Sequence, residues 1–204
     1  MRMTGHERRE QLVDVGRTLF AEKGFEAVSV EEIAAKAGVS KPVVYEHFGG
    51  KEGLYAVVVD REMNRLLTMI SQALRGSHPR LLLEEVGMAL FDYIDEHSDG
   101  FRILVRDSPV SQQTGSLASL IVDIAGQVEH LLAEQFRAHG LPARLAPMYS
   151  RMLVGMTALT GQWWLDVRKP RKEEVVAHLV NLSWNGLSHL DPDPPPVSRR
   201  AGGR

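Results

Sequence analysis

The sequence predicts an all-α protein of about nine helices, on three observations. Apolar residues recur three and four apart through nearly the whole chain. No stretch shows the period-two alternation of a half-buried strand, and no internal repeat is present. The breaks between apolar runs carry the Gly, Pro, Ser and Asp residues that end or cap helices.

Taken in order, Leu12, Val15, Leu19 and Phe20 share one face of a helix from about Glu7 to Lys23, which Gly24 terminates. Ser29 followed by Glu32 spells a capping box, so a second helix starts at about Val30 and carries Val30, Ile33, Ala34 and Ala37 inward. Gly38 supplies the left-handed residue that ends it, and Val39 fills the space beneath the turn. Ser40 caps a third helix with Pro42 two places inside, where a missing N–H costs no internal hydrogen bond. The Ser40 hydroxyl is then expected to accept from the Val43 N–H. Two short helices joined by such a turn form a helix-turn-helix, a unit that enters the DNA major groove.

A fourth helix over Glu52 to Leu74 links this head to the remainder. Leu81 to His97 follows, with Ser98, Asp99 and Gly100 as punctuation, then a short helix from Phe101 to Asp107 stopped before Ser108 and Pro109. Gly115 to His139 is long and apolar on one side, and Gly140 ends it. Ala143 to Val167 and Glu173 to Leu190 flank Lys169 and Pro170. The expected division is residues 1–51 as a DNA-binding head, 52–190 as a ligand-binding and dimerisation body, and 191–204, with its prolines, as a disordered tail.

Met152, Met156, Leu159 and Trp163 recur at close to heptad spacing, with Gly155, Ala158 and Gly161 allowing close approach of a neighbour. The last helix offers Val176, Val180, Trp184 and Leu187. Paired with their copies, these two helices make a four-helix interface about a two-fold axis. Ordinary burial within one chain is the alternative.

The chain has 204 residues, 44% hydrophobic and 25% charged, which is ample for a sizeable core. With no cysteine there is no disulfide framework and no thiolate ligand or nucleophile. No run approaches the roughly 20 apolar residues of a membrane span, and the first residues lack the apolar core of a signal peptide, so a cytoplasmic protein is expected. A net charge of -2 gives no global sign of nucleic-acid binding. A phosphate footprint needs only a few cations on one face, however, and Arg2, Arg8, Arg9, Lys41 and Lys51 are available.

Enzyme chemistry finds no foothold. Gly49, Gly50 and Lys51 resemble the end of a phosphate loop, but Glu52 replaces the required Ser or Thr. The histidines lack metal-ligand spacing, and no nucleophile elbow occurs. Neither a metal nor a cofactor is expected.

The run from Phe20 to Phe25, the helix-turn-helix from Ser29 to Lys41, and Tyr45, His47, Phe48 and Lys51 together resemble the TetR family of bacterial one-component transcriptional regulators. Phe91 to Asp107, Trp163 to Asp166 before Lys169 and Pro170, and Gly186 to Leu190 are similar to a subgroup of actinobacterial regulators of fatty-acid synthesis, which respond to long-chain acyl-CoA.

The resemblance implies a homodimeric, ligand-responsive repressor on a near-palindromic double-stranded DNA operator. It assigns Tyr45, His47 and Lys51 to phosphates, and Ser29 and Ser40 to hydroxyl positions near the DNA backbone. Lys41, Pro42 and Val43 fall at positions that face base edges, where Lys41 suits guanine and the other two suit thymine methyls. Val44 and Phe48 are expected in the core, and Glu31 at the positive end of its helix. Arg8 and Arg9 either reach phosphate or the minor groove from a flexible arm, or stay solvated.

An apolar effector pocket is implied too, with Phe91, Ile94, Phe101, Leu104, Leu120, Ile121 and Ile124 as its candidate lining. Taken one by one, each of these reads first as plain core. Arg102 and Arg106, four apart, either hold an anion or form a surface pair. Three alternatives remain: an efflux-pump repressor sensing a hydrophobic drug, a small-molecule-binding module without DNA function, and an all-helical enzyme.

Overall fold

A computed structural model describes residues 3–76, 78–106 and 117–195. The described residues form nine α-helices, one 3-10 turn and no strand. The helices are α1 Gly5–Lys23, α2 Val30–Ala37, α3 Lys41–Phe48, α4 Lys51–Ala73, α5 Pro79–Glu96, α6 Ser98–Val105, α7 Leu117–Ala138, α8 Ala146–Val167 and α9 Lys172–Ser188. The expected helix stop at Ser108 and Pro109, the start at Gly115 and the tail from 196 onward lie outside the described residues.

The capping chemistry differs from expectation at two helices. The complete capping box sits on α1, where Thr4 Oγ1 accepts from the Glu7 N–H and the Glu7 carboxylate accepts from the Thr4 N–H. At α2 only half forms. Ser29 Oγ accepts from the Glu32 N–H at 3.2 Å, while the Glu32 carboxylate turns to Lys23 of α1. Joining α1 to α2 satisfies that carboxylate in place of the local box. At α3 the Ser40 hydroxyl makes no cap bond, because the Val43 N–H already donates to the Ser40 main-chain carbonyl at 3.1 Å. The α2 C-terminus is as expected: Gly38 is left-handed (φ 66°), and the Gly38 and Val39 N–H groups reach back to Ala35 and Ala34.

A tight core unites α1, α2, α3 and the start of α4: Leu12, Ile33, Val44 and Leu54 are fully buried, and Phe20 meets Tyr55 edge-on at 5.0 Å. Gly53 lets α4 cross the end of α3, since a Cβ there would fall 1.9 Å from the Phe48 carbonyl oxygen.

The break expected at Ser98, Asp99 and Gly100 falls at His97 instead. A single residue, His97, separates α5 from α6, and Ser98–Gly100 form the first turn of α6. The glycine is required by tertiary packing, because a Cβ on Gly100 would meet Glu62 Oε2 at 2.2 Å. The run expected as one helix from Ala143 is also divided, into a 3-10 turn at Ala143–Leu145 and then α8.

Helices α5 and α9 run antiparallel. Lys172 at the start of α9 pairs with Asp92 and Asp95 near the end of α5, whereas Trp184 near the end of α9 lies beside His78 at the start of α5. The carboxylates beside Lys172 hold its ammonium well above the ordinary lysine range. Val176 packs on Gly87, and Gly161 of α8 packs on Leu90 and Ile94. Val176 and Val180, expected at a dimer interface, are therefore buried in the chain's own core. Among the described residues, no helix is long and apolar enough to cross a membrane.

Candidate nucleic-acid interface and ligand cavity

The helix-turn-helix presents Ser29, Ser40, Lys41, Pro42 and Tyr45 exposed, with Val43 and His47 half-buried. Tyr45 is 50% exposed, and its ring edge lies by Gly50, just before α4. Val43 packs partly on the core, so only part of its side chain remains for a base methyl. Val44 is fully buried as expected.

Several cations have partners within the chain. Lys41 Nζ pairs with Glu31 across the turn; that hydrogen bond raises the lysine pKa and lowers the glutamate's. Glu31 thus partners Lys41 as well as lying in the first turn of α2. Lys51 Nζ donates to the Phe25 carbonyl at 3.0 Å and lies 4.2 Å from the Phe25 ring centroid. Arg9 is neither a flexible arm nor a solvated cation: it donates to the His47 carbonyl at 2.8 Å and covers the Phe48 ring. It braces α3 from α1. Arg8 is held locally by Gln11.

Beneath the head lies a buried polar joint. Glu62 of α4, 3% exposed, accepts from the Tyr93 hydroxyl of α5 at 2.8 Å and from Arg65 at 3.3 Å, and Arg17 of α1 approaches at 3.7 Å. Burial, reinforced by the Glu62 charge, pushes the Tyr93 hydroxyl far above its ordinary pKa, so it remains a donor. Arg17 Nε is buried without a hydrogen-bond partner, so this joint is not fully satisfied. Arg106, after α6, clamps the C-terminal carbonyls of α1 by donating to Ala21 at 2.7 Å and Phe20 at 3.3 Å. Arg102 pairs with Asp166 at 3.2 Å. The two arginines serve different helices and do not converge on one anion.

The body holds a partly open cavity of about 750 Å³ among α4, α5, α7, α8 and α9, with Phe101 of α6 on its wall. Of the expected lining, Phe101, Leu120, Ile121 and Ile124 border it. Phe91, Ile94 and Leu104 do not; they are buried in the packing of α5 and α6 against their neighbours. The wall also includes Leu66 and Ile70 of α4, Leu82 and Val86 of α5, and Leu131 and Leu132 of α7, which sequence reasoning missed. Their three- and four-residue spacing was visible, but it reads the same for a cavity wall as for a filled core. Trp184 and Leu187, expected at a dimer interface, line this cavity instead. Among the described residues, no Asp, Glu, Lys or Arg lines it. No group of three or more potential metal ligands occurs among them either.

The remaining expected interface residues lie outward on α8. Met152, Leu159 and Trp163 are 55%, 65% and 49% exposed, Met148 and Val167 extend the same face, and Leu182 of α9 stands 64% exposed. Met156 is half-buried.

A family model described as bacterial regulatory proteins of the tetR family matches residues 12–58. Another, described as a tetracyclin repressor-like C-terminal domain, matches residues 79–186. The HTH-type transcriptional activator FasR of Mycolicibacterium smegmatis is 33% identical over 192 residues, spanning 93% of this chain and 87% of that protein. A TetR-like transcriptional regulator from Rhodococcus sp. RHA1 superposes with a TM-score of 0.76 at 25% identity, covering 92% of this chain and 99% of the other. The fatty acid degradation regulator FadR from Bacillus halodurans shares the fold, with a TM-score of 0.73 at 18% identity over 93% of this chain and all (100%) of its own.

Proposed function

This chain belongs to the TetR family of bacterial transcriptional regulators, which are not enzymes, and from that premise we propose that it binds a near-palindromic operator as a homodimer whose DNA affinity is set by a long-chain acyl effector. Residues 1–51 serve as the DNA-binding unit and 52–190 as the ligand-binding and dimerisation unit, acting in the cytoplasm. The observation that carries this reading is a continuous path from cavity to head. Phe101 borders the cavity and meets the Tyr93 ring edge-on at 6.3 Å; Tyr93 holds Glu62, and Glu62 faces Arg17 of α1.

A ligand that displaces Phe101 thereby shifts α6, and with it the two polar clamps on α1. The exposed α8 face supports pairing with a second copy, since an apolar stripe of this extent is costly to leave in water. Two recognition helices about 34 Å apart then enter successive major grooves, and a small rotation of either head changes affinity. A coupling of about 1–3 kcal/mol suffices for a useful switch.

An acyl effector is supported by the uncharged apolar wall and by the resemblance of Phe91–Asp107 to actinobacterial regulators of fatty-acid synthesis. Repression by operator occupancy is the first reading of its mode. The activator at 33% identity favours a second, in which the bound dimer promotes transcription.

Binding of the purified protein to duplex DNA from its own upstream region, followed by fluorescence anisotropy, tests the proposal. Salt-sensitive binding by a dimer is expected, weakened at least tenfold by Tyr45→Phe with Lys51→Ala and altered by palmitoyl-CoA. Binding unaffected by the double change removes the assigned contacts, and no response to any acyl chain removes the effector.

A further inference from the structure

One turn of α1, from Arg8 to Gln11, is tied to each of the other three helices of the head. The Arg9 guanidinium donates to the His47 carbonyl at 2.8 Å and covers the Phe48 ring 4.4 Å from its centroid, and these are the last two residues of α3. Gln11 Nε2 donates at 3.2 Å to the carbonyl of Ala37, the last residue of α2. Its amide oxygen accepts from Arg8 at 2.7 Å, which fixes the way the amide faces. Glu10 meets Arg61 of α4 through two parallel hydrogen bonds of 2.6 Å. The carbonyls that Arg9 and Gln11 take are ones that a helix C-terminus leaves without an internal partner.

The recognition helix needs such a tie. Of its eight residues only Val44 is fully buried, and a short helix held at one buried point can tilt about it. Arg9 supplies a second point, at the end of α3 opposite Lys41, Pro42 and Val43. On the reading of α3 as the helix that enters the groove, we propose that Arg9 is a positioning residue for base recognition: it touches no DNA, and it sets the tilt at which α3 presents its reading edge. Base contacts need placement within about 0.5 Å and roughly 10–20°. Phosphate contacts made through long side chains follow a tilted helix. The loss of Arg9 therefore falls on discrimination between sequences and spares the electrostatic part of binding.

Anisotropy titrations of the full-length protein test this by comparing the duplex from its own upstream region with a scrambled duplex of the same composition, each over a range of salt. For Arg9→Met, which keeps an apolar stem over Phe48, the ratio of the two affinities is expected to fall about fivefold or more. Binding of the scrambled duplex should stay within about twofold, with its salt slope unchanged, which also shows that the head is folded. Arg9→Lys keeps the charge but cannot both donate to His47 and cover Phe48 as a planar guanidinium does, so it is expected to recover little of the ratio. A phosphate contact predicts the reverse: both duplexes weakened together, the salt slope lowered by about one unit in Arg9→Met, and both restored by Arg9→Lys. That pattern, an unchanged ratio, or joint loss of both duplexes overturns the proposal. If the unaltered protein does not distinguish the two duplexes, the operator reading itself fails, and this inference falls with it.

Discussion

The head and the body of this molecule use the same kind of helix to opposite ends. In the head, helices meet around side chains with no room to spare: Gly16 lies so near Leu54 that a Cβ there would be 2.8 Å from the leucine methyl. In the body, helices stand apart and leave a cavity of about 750 Å³. A close-packed unit moves as one piece, whereas helices around a void have room to shift. The difference suits a device in which a deformable body re-aims a rigid reader, and the joint at Glu62 lies where the two meet.

The largest expected effect opposes one leucine in each region. Leu54→Ala cuts into the filled core and is expected to cost about 2–5 kcal/mol. Leu131→Ala borders space that is already open and should cost about 1–2 kcal/mol. Denaturant unfolding at fixed protein concentration measures both, and equal losses would show that the cavity is closed up in solution.

A smaller effect is expected at the joint. Tyr93→Phe removes a donor from the buried Glu62 carboxylate, at about 1–3 kcal/mol of stability. It should also reduce the factor by which palmitoyl-CoA changes operator affinity, while DNA binding without ligand remains near that of the unaltered protein. An unchanged ligand response would mean that body and head communicate by another route.

The smallest effect belongs to the exposed Lys41 and Glu31 pair. If the lysine leaves its glutamate to meet DNA, Lys41→Ala lowers the salt dependence of binding by about one unit of log–log slope. Glu31→Gln, which removes the competitor, should tighten binding on every sequence tried. Both are read by titrating salt in the same anisotropy measurement, and no change in either leaves Lys41 as a purely intramolecular partner.

The head was more legible in the sequence than the body, and the reason is local. Ser29, Gly38 and Gly24 act on backbone groups within a few residues, so their roles follow from spacing alone. Where a side chain chose a distant partner, the reading failed: Glu32 went to Lys23, and Arg9 went to the end of α3. In the body, every helix was visible as a periodic run, but periodicity marks only that a face is apolar.

By itself the sequence determined an all-helical chain, its helix-turn-helix and most of its helix ends, because propensity, capping and apolar period act over one or two turns. Tertiary structure alone decided which apolar faces meet each other, which face a void and which face outward. Thus Val176 packs on Gly87, Trp184 borders the cavity and Leu159 stands exposed, although all three lie on similar apolar stripes. The glycine at position 100 likewise answers to tertiary structure, since the room that Glu62 needs is set by a helix 38 residues away in the chain.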